Sequence, residues 1–210
     1  MIALGWGVNA NTAPVFTFKN NLIEGNTDVN PIVFLLGNST AGYYNPIVFQ
    51  GNTFTGNESQ RELVNIYDER AGNQIVNNDF YNNKVATTTL SLIDSGSNWI
   101  SDNAFLQNGA YAEVYLHAST KGPITLTRNT VAPSEGGSVG VWSQVSGQAT
   151  LQSFGNSFYS NYNTKDGWNT PRTDVVALWG NYLTIDKWNA KTSKDGNDIL
   201  APIGTPPPAH

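Results

Sequence analysis

Asn78-Asp79-Phe80-Tyr81-Asn82-Asn83 is one instance of a phrase, Asn-x-apolar-x-x-Asn, around which the rest of the chain is organised. Upstream it recurs as Asn52-x-Phe54-x-x-Asn57 and Asn21-x-Ile23-x-x-Asn26. Downstream it recurs as Asn103-x-Phe105-x-x-Asn108, Asn129-x-Val131-x-x-Ser134 and Asn156-x-Phe158-x-x-Asn161. The starting positions 21, 52, 78, 103, 129 and 156 lie 25 to 31 residues apart, mostly close to 26. A fixed period of that size belongs to stacked repeats, in which each unit buries its apolar face against its neighbours.

One period shows what is being stacked. Pro46-Ile47-Val48-Phe49, then Asn52 to Asn57, then Glu62-Leu63-Val64-Asn65-Ile66-Tyr67 are short segments with apolar residues at alternate positions, separated by Gly, Asn, Asp and Ser. Alternation with turn residues between is strand chemistry. The same order recurs at 74–98, 99–122 and 123–149. Three short strands per coil, stacked at the ~4.8 Å spacing of hydrogen-bonded strands, make a parallel β-helix. The motif asparagines are expected to take left-handed corners, which Asn tolerates, and to form an amide ladder from coil to coil. Ile23, Phe54, Phe80, Phe105, Val131 and Phe158 are expected to stack as an internal core ladder.

These residues resemble the right-handed parallel β-helix proteins of the pectate-lyase-like superfamily, whose coils often carry the same N-x-F-x-x-N phrase. The resemblance covers about residues 3 to 200 and implies an all-β, right-handed, single-stranded solenoid of about six coils. Polysaccharide lyases, glycoside hydrolases, pectin esterases, phage tailspikes, adhesins and non-catalytic stalks all use that architecture, so fold alone leaves function open. Thr184-Ile185-Asp186-Lys187-Trp188, followed by Gly196-Asn197-Asp198, is similar to a closing segment in which a short helix with an inward Trp covers the last coil. One domain over 1–200, entering in mid-coil at Met1 so that an upstream part of a longer chain or another chain is expected to cover the open start, and a Pro-rich tail over 201–210 are expected.

Composition fits a chain spent on strands and turns. Charged residues make up 13%, Gly numbers 20, and Cys is absent, so no disulfide framework or thiol chemistry is available. The net charge of -5 and 11 scattered basic residues argue against nucleic acid, anionic membrane and a basic groove for uronates. No apolar run is long enough to insert in a membrane, and Met1 to Trp6 lacks the basic start of a signal peptide. No phosphate loop or metal-ligand cluster is visible, so no cofactor and no metal are expected. Arg128 and Lys121 read as isolated surface cations. Asn26-Thr27-Asp28 matches one fragment of a polygalacturonase-like pattern whose other motifs are missing.

Taking Val64/Ile66, Leu90/Leu92, Val114/Leu116, Val139/Val141 and Val176/Leu178 as inward pairs places Tyr67, Ile93, His117, Trp142 and Trp179 outward in one vertical stripe. Such a stripe has two readings: a glycan platform, since aromatic faces stack on sugar C–H faces, or a covered surface such as a subunit interface. Asp68 and Asp94 fall at equivalent sites of adjacent coils, as an acid–base pair ~5 Å apart or simply as turn residues. Glu113, Tyr115 and His117 alternate along one strand and are expected to face out together. The segment from Tyr159 to Arg172, with Tyr162 and Trp168, is longer than its counterparts and is a place for a further binding residue, Trp168, or for packing over the end. The insertion from Asn38 to Tyr44 invites the same two readings.

The sequence thus predicts an extracellular, cell-surface or virion-surface β-helix that binds polysaccharide or oligosaccharide. Asp68, Asp94, Glu113 and His117 are its candidate catalytic residues, and Tyr67, Tyr115, Trp142, Trp179 and Trp168 its candidate binding residues. If it is an enzyme, a glycoside hydrolase fits better than a uronate lyase. The competing class is a stalk, adhesin or homo-oligomeric assembly subunit whose aromatic stripe is an interface.

Overall fold

The structure is a computed structural model that describes residues 2–5, 15–36, 46–67, 72–120, 122–133, 139–145, 150–159, 176–192 and 198–201. Strands of three to six residues repeat in the order the sequence predicts and pair with their counterparts one coil away. They form sheets of eight, six and seven strands, with a three-stranded strip of two-residue strands at one corner. Successive members of the seven-stranded sheet, Thr53–Thr55, Asp79–Tyr81 and Ala104–Leu106, run parallel with Phe54, Phe80 and Phe105 in register. Six strands from Phe16–Lys19 to Leu151–Phe154 form the six-stranded sheet, so the chain winds about six coils. The eight-stranded sheet departs from parallel pairing at its end, where Asn181–Leu183 folds back on Val176–Leu178. Trp179 and Gly180 make that hairpin turn with φ of 52° and 77°; positive φ at both central residues marks a type I′ turn.

The core is the set of inward side chains from all three sheets. Phe54, Phe80 and Phe105 are wholly buried, and Ile23, Val131 and Phe158 complete the predicted column with at most 5% exposure. The Phe80 and Phe105 rings stack at 5.0 Å and 6°. Phe54 lies 5.1 Å from Phe80, and Phe18 and Phe49 add a second stack at 5.1 Å. Such pairs contribute about 0.5–1.5 kcal/mol each beyond the area they bury.

Asparagines stitch the coils together as expected, but the left-handed corner falls one residue earlier. Asn20, Gly51, Asn77, Asp102, Arg128 and Gly155, each immediately before a ladder Asn, have φ between 54° and 69°. The same holds for Gly25, Gly56, Asn82 and Gln107 before the second ladder, at 53° to 65°. This turn frees the following Asn to point along the axis. In the first ladder Asn21, Asn52, Asn78, Asn103 and Asn129 each donate Nδ2 to Oδ1 of the next, at 2.8–3.0 Å. The second runs Asn26, Asn57, Asn83, Asn108 at 2.8–2.9 Å. Each Oδ1 also accepts a backbone N–H from the coil before, and interior members give their second amide proton to a carbonyl, as Asn78 does to Phe49. A buried amide is tolerated only with this degree of satisfaction.

Both ladders end on a carboxylate. Asn156 donates to Asp198 Oδ1 at 2.7 Å, and Asp198 Oδ2 also accepts from Ser153 and, at 3.1 Å, from Trp188 Nε1. Trp188 is wholly buried on the helix Ile185–Thr192, which closes the last coil as the sequence predicts. Burial raises the Asp198 carboxyl above the usual carboxylate range, against these hydrogen bonds. The second ladder ends where Asn108 donates to Glu113 Oε2 at 3.0 Å.

Candidate functional site

The outer face of the eight-stranded sheet carries the site. Val64, Leu90 and Val114 are register partners and point inward, as do Ile66, Leu92 and Leu116. The next strand enters two residues out of step with the expectation: Val139 pairs with Ala112, Val141 with Val114, and Ser143 takes the inward place beside Leu116. Ser143 can be buried there because its hydroxyl donates to the Val145 carbonyl at 2.6 Å and accepts the Val145 N–H. Trp142 therefore stands beside Tyr115 and not beside His117.

This splits the predicted stripe into two rows. One runs Asn65, Ser91, Tyr115, Trp142; the other contains Tyr67 and Ile93, which pair directly. Tyr67 and Trp179 are 41% and 56% exposed, and Trp179 occupies the hairpin turn and not the sheet face. Neither contacts another aromatic ring among the described residues.

Around Trp142 the aromatics gather. Tyr111 lies 5.1 Å from Trp142 with rings tilted by 46°, and Tyr182 meets it edge-on at 6.2 Å. The Tyr111 and Tyr182 hydroxyls are 3.1 Å apart. Together with Tyr115, Glu62, Thr88 and Gln144, Tyr111 and Trp142 line a cleft of about 420 Å³, floored by Ala86, Thr87 and Ala112. The Tyr115 hydroxyl donates to Gln144 Oε1 at 3.1 Å, and its partial burial raises the phenol pKa. Glu62 Oε2 and Thr88 Oγ1 are buried and have no hydrogen-bond partner among the described residues. Arg61 Nε stands 3.6 Å from Glu62 Oε2.

The predicted catalytic residues separate. Glu113 does not face outward: it is wholly buried, and Thr89 Oγ1 and Asn108 Nδ2 both donate to its Oε2. The corner entering this strand turns its row inside. Leu63, at the matching place two coils earlier, is core, and a Cβ on Gly140 one coil later would press on Phe158 and Val131 at 2.9 Å. Desolvation lifts the Glu113 carboxyl to about 8, partly offset by those two donors. Asp94 adopts φ of 50°, a turn conformation, and its N–H donates to Ser119 Oγ at 2.8 Å. Ser119 Oγ lies 2.7 Å from His117 Nδ1, and the Ser119 N–H donates to the same nitrogen at 3.2 Å. The turn thus joins Asp94 and His117 through Ser119, with His117 edge-on to Tyr115 at 5.9 Å. Asp68, Trp168 and Lys121 lie outside the described residues. Arg128 is not isolated: its Nε and an Nη donate to the two oxygens of Asp102 at 2.7 Å, which lowers the Asp102 pKa.

A family model described as the right-handed β-helix region matches residues 6–198. The chain belongs to the right-handed β-helix family. No curated protein and no solved structure matches it significantly. Within this β-helix, sequence reading missed Glu62, Thr88, Tyr111 and Gln144 as cleft residues, and Tyr182 as the ring packed against Trp142. The pairing of Leu90 with Val64 places Glu62 and Thr88 side by side just before the inward residues, a relation visible only once register is known. Among the described residues no group of His, Cys, Asp and Glu gathers to hold a metal. No described helix is long and apolar enough to cross a membrane.

Proposed function

We propose that this β-helix binds a polysaccharide chain in the Trp142 cleft, outside the cell or on a cell or virion surface. The observation that carries the reading is the register pairing of Tyr115 with Trp142, flanked by Tyr111, over buried polar atoms without hydrogen-bond partners among the described residues. Aromatic faces supply apolar contact to sugar rings, while Glu62, Thr88 and Gln144 supply hydrogen-bonding edges. Strand steps of ~4.8 Å approach the rise of one sugar unit, so successive coils can meet successive residues of a glycan. The extracellular setting is supported by the resemblance to exported β-helix proteins. Glycoside hydrolysis uses two carboxylates about 5 to 9.5 Å apart across the scissile bond. The described cleft is lined by one, Glu62, which favours binding over hydrolysis.

Titration with neutral oligosaccharides, followed by Trp fluorescence, tests this. Binding should quench emission, and Trp142→Ala should weaken it by about 1–3 kcal/mol, the usual loss for a central aromatic anchor. Unchanged affinity in that variant overturns the proposal. The exposed Trp179, on the hairpin turn at the C-terminal end of the eight-stranded sheet and outside the cleft lining, favours a second role for this end of the molecule as a subunit interface. A drop to smaller assemblies in Trp179→Ala, with glycan binding intact, would establish that role separately.

A further inference from the structure

We infer that the cleft selects a glycan bearing a protonated amine, a 2-amino-2-deoxy sugar unit, and that Glu62 is the residue that selects it. This rests on the binding reading above and names its ligand class. The Glu62 side chain is 12% exposed, and no hydrogen bond from a described residue reaches its Oε2. Arg61, 60% exposed, forms an ion pair with Oε2 at 3.6 Å, beyond hydrogen-bond distance. Beside it, one coil on, Thr88 is 7% exposed and its Oγ1 also lacks a partner among the described residues. Glu62 thus has an exposed ion pair with Arg61 but no described donor on its buried oxygen, so the site is built with unmet demand for donors.

Candidate ligands meet that demand unequally. An ammonium group brings three donors and a charge, enough to serve both Glu62 and Thr88. It also gains attraction from the faces of Tyr111, Tyr115 and Trp142 on the cleft wall. A neutral hydroxyl brings one donor and no charge. An N-acetyl group brings one weak donor and fills the space the charge would occupy. A uronate sets a second carboxylate against Glu62 in a partly desolvated cleft, where like charges repel strongly. The net charge of -5 acts in the same direction by concentrating cationic chains near the surface.

Isothermal titration of the protein with a fully deacetylated glucosamine tetramer, its N-acetylated counterpart and a galacturonate tetramer, at mildly acidic pH, tests the inference. The deacetylated tetramer should bind about ten-fold or more tighter than the acetylated one, and the galacturonate weakest. Glu62→Gln, checked for folding by circular dichroism, should bring the two glucosamine ligands to equal affinity. In the unsubstituted protein, added salt should erode the preference as well, so the outcome does not depend on one variant. Equal binding of both tetramers by the unsubstituted protein, or a preference that survives in Glu62→Gln, overturns the amine inference. Trp142-dependent binding without amine preference leaves the glycan reading standing, whereas no binding of any glycan removes both.

Discussion

Asn108 gives its side-chain amide proton to Glu113 five residues further along, at 3.0 Å, where every earlier rung of that ladder reaches the next coil. The reason lies one period on, where the phrase carries Ser134 in place of Asn. Glu113 supplies the acceptor the next asparagine would have offered. A residue that reads as a catalytic acid on an outward face is therefore the terminus of a structural ladder.

The protonation of that terminus should be measurable as stability. The Glu113 carboxyl titrates near 8 in the folded protein against 4.5 for the ordinary group. Between these values the native state holds a proton that the unfolded chain has lost. Stability should therefore be fullest below about pH 4.5 with respect to this group and fall as pH rises, by up to about 1.4 kcal/mol per unit, flattening above pH 8. Urea unfolding at stepped pH should show the fall, and Glu113→Gln, which mimics the neutral acid, should remove the share due to Glu113 and leave that of Asp198. An equal slope in that variant would assign the pH dependence elsewhere.

The central phenylalanines should be the most costly apolar positions. Phe80 and Phe105 are fully buried between stacked neighbours above and below, so the coils cannot collapse into the space they leave. Phe80→Ala and Phe105→Ala should each lose about 3–5 kcal/mol in chemical denaturation. A loss under about 1 kcal/mol at both would contradict the buried stack.

Removing Asp198 should unseat the cap. Asp198→Ala strips the acceptor from Ser153, Asn156 and Trp188 at once, and buried donors left without partners cost about 1–3 kcal/mol each. Hydrogen exchange should speed up first at Ser157–Tyr159 and in the helix Ile185–Thr192. Uniform loss of protection along the whole chain would show that the coils unfold as one unit.

Gly140→Ala tests the turned corner. Its Cβ would come within 2.9 Å of Phe158 Cδ1 and Val131 Cγ1, so overpacking should cost about 1–3 kcal/mol. A neutral substitution would place that row outside the core.

Coil period, Phe column, amide ladders and the inward Trp188 were legible because each is a local pattern repeated at fixed spacing, and repetition makes misreading hard. The site was legible only in part. The sequence singles out Tyr115 and Trp142, which line the cleft, but Val139 and Val141 look equivalent to Val114 and Leu116 because a hydrophobic pattern does not mark Ser143 as an inward residue. Its burial depends on a hydroxyl bonded to its own turn. Glu113 was misplaced for a related reason: strict alternation fails at the corner, where Leu63 and Val64 are both buried. Glu62 and Thr88 carry no motif, and only the pairing of adjacent coils makes them neighbours.

The ladders also give the solenoid an electrical direction. Each Asn points its N–H toward the following coil, so the amide dipoles from Asn21 to Asn156 add head to tail, as peptide dipoles of about 3.5 D do along a helix. The sheets themselves contribute little net dipole. The positive pole of each column falls on its last amide, at Asn156 and at Asn108, and there Asp198 and Glu113 stand where a helix would place an acid at its N-terminus. One column ends mid-stack and the other under the cap, so the two fields along the axis are of unequal length.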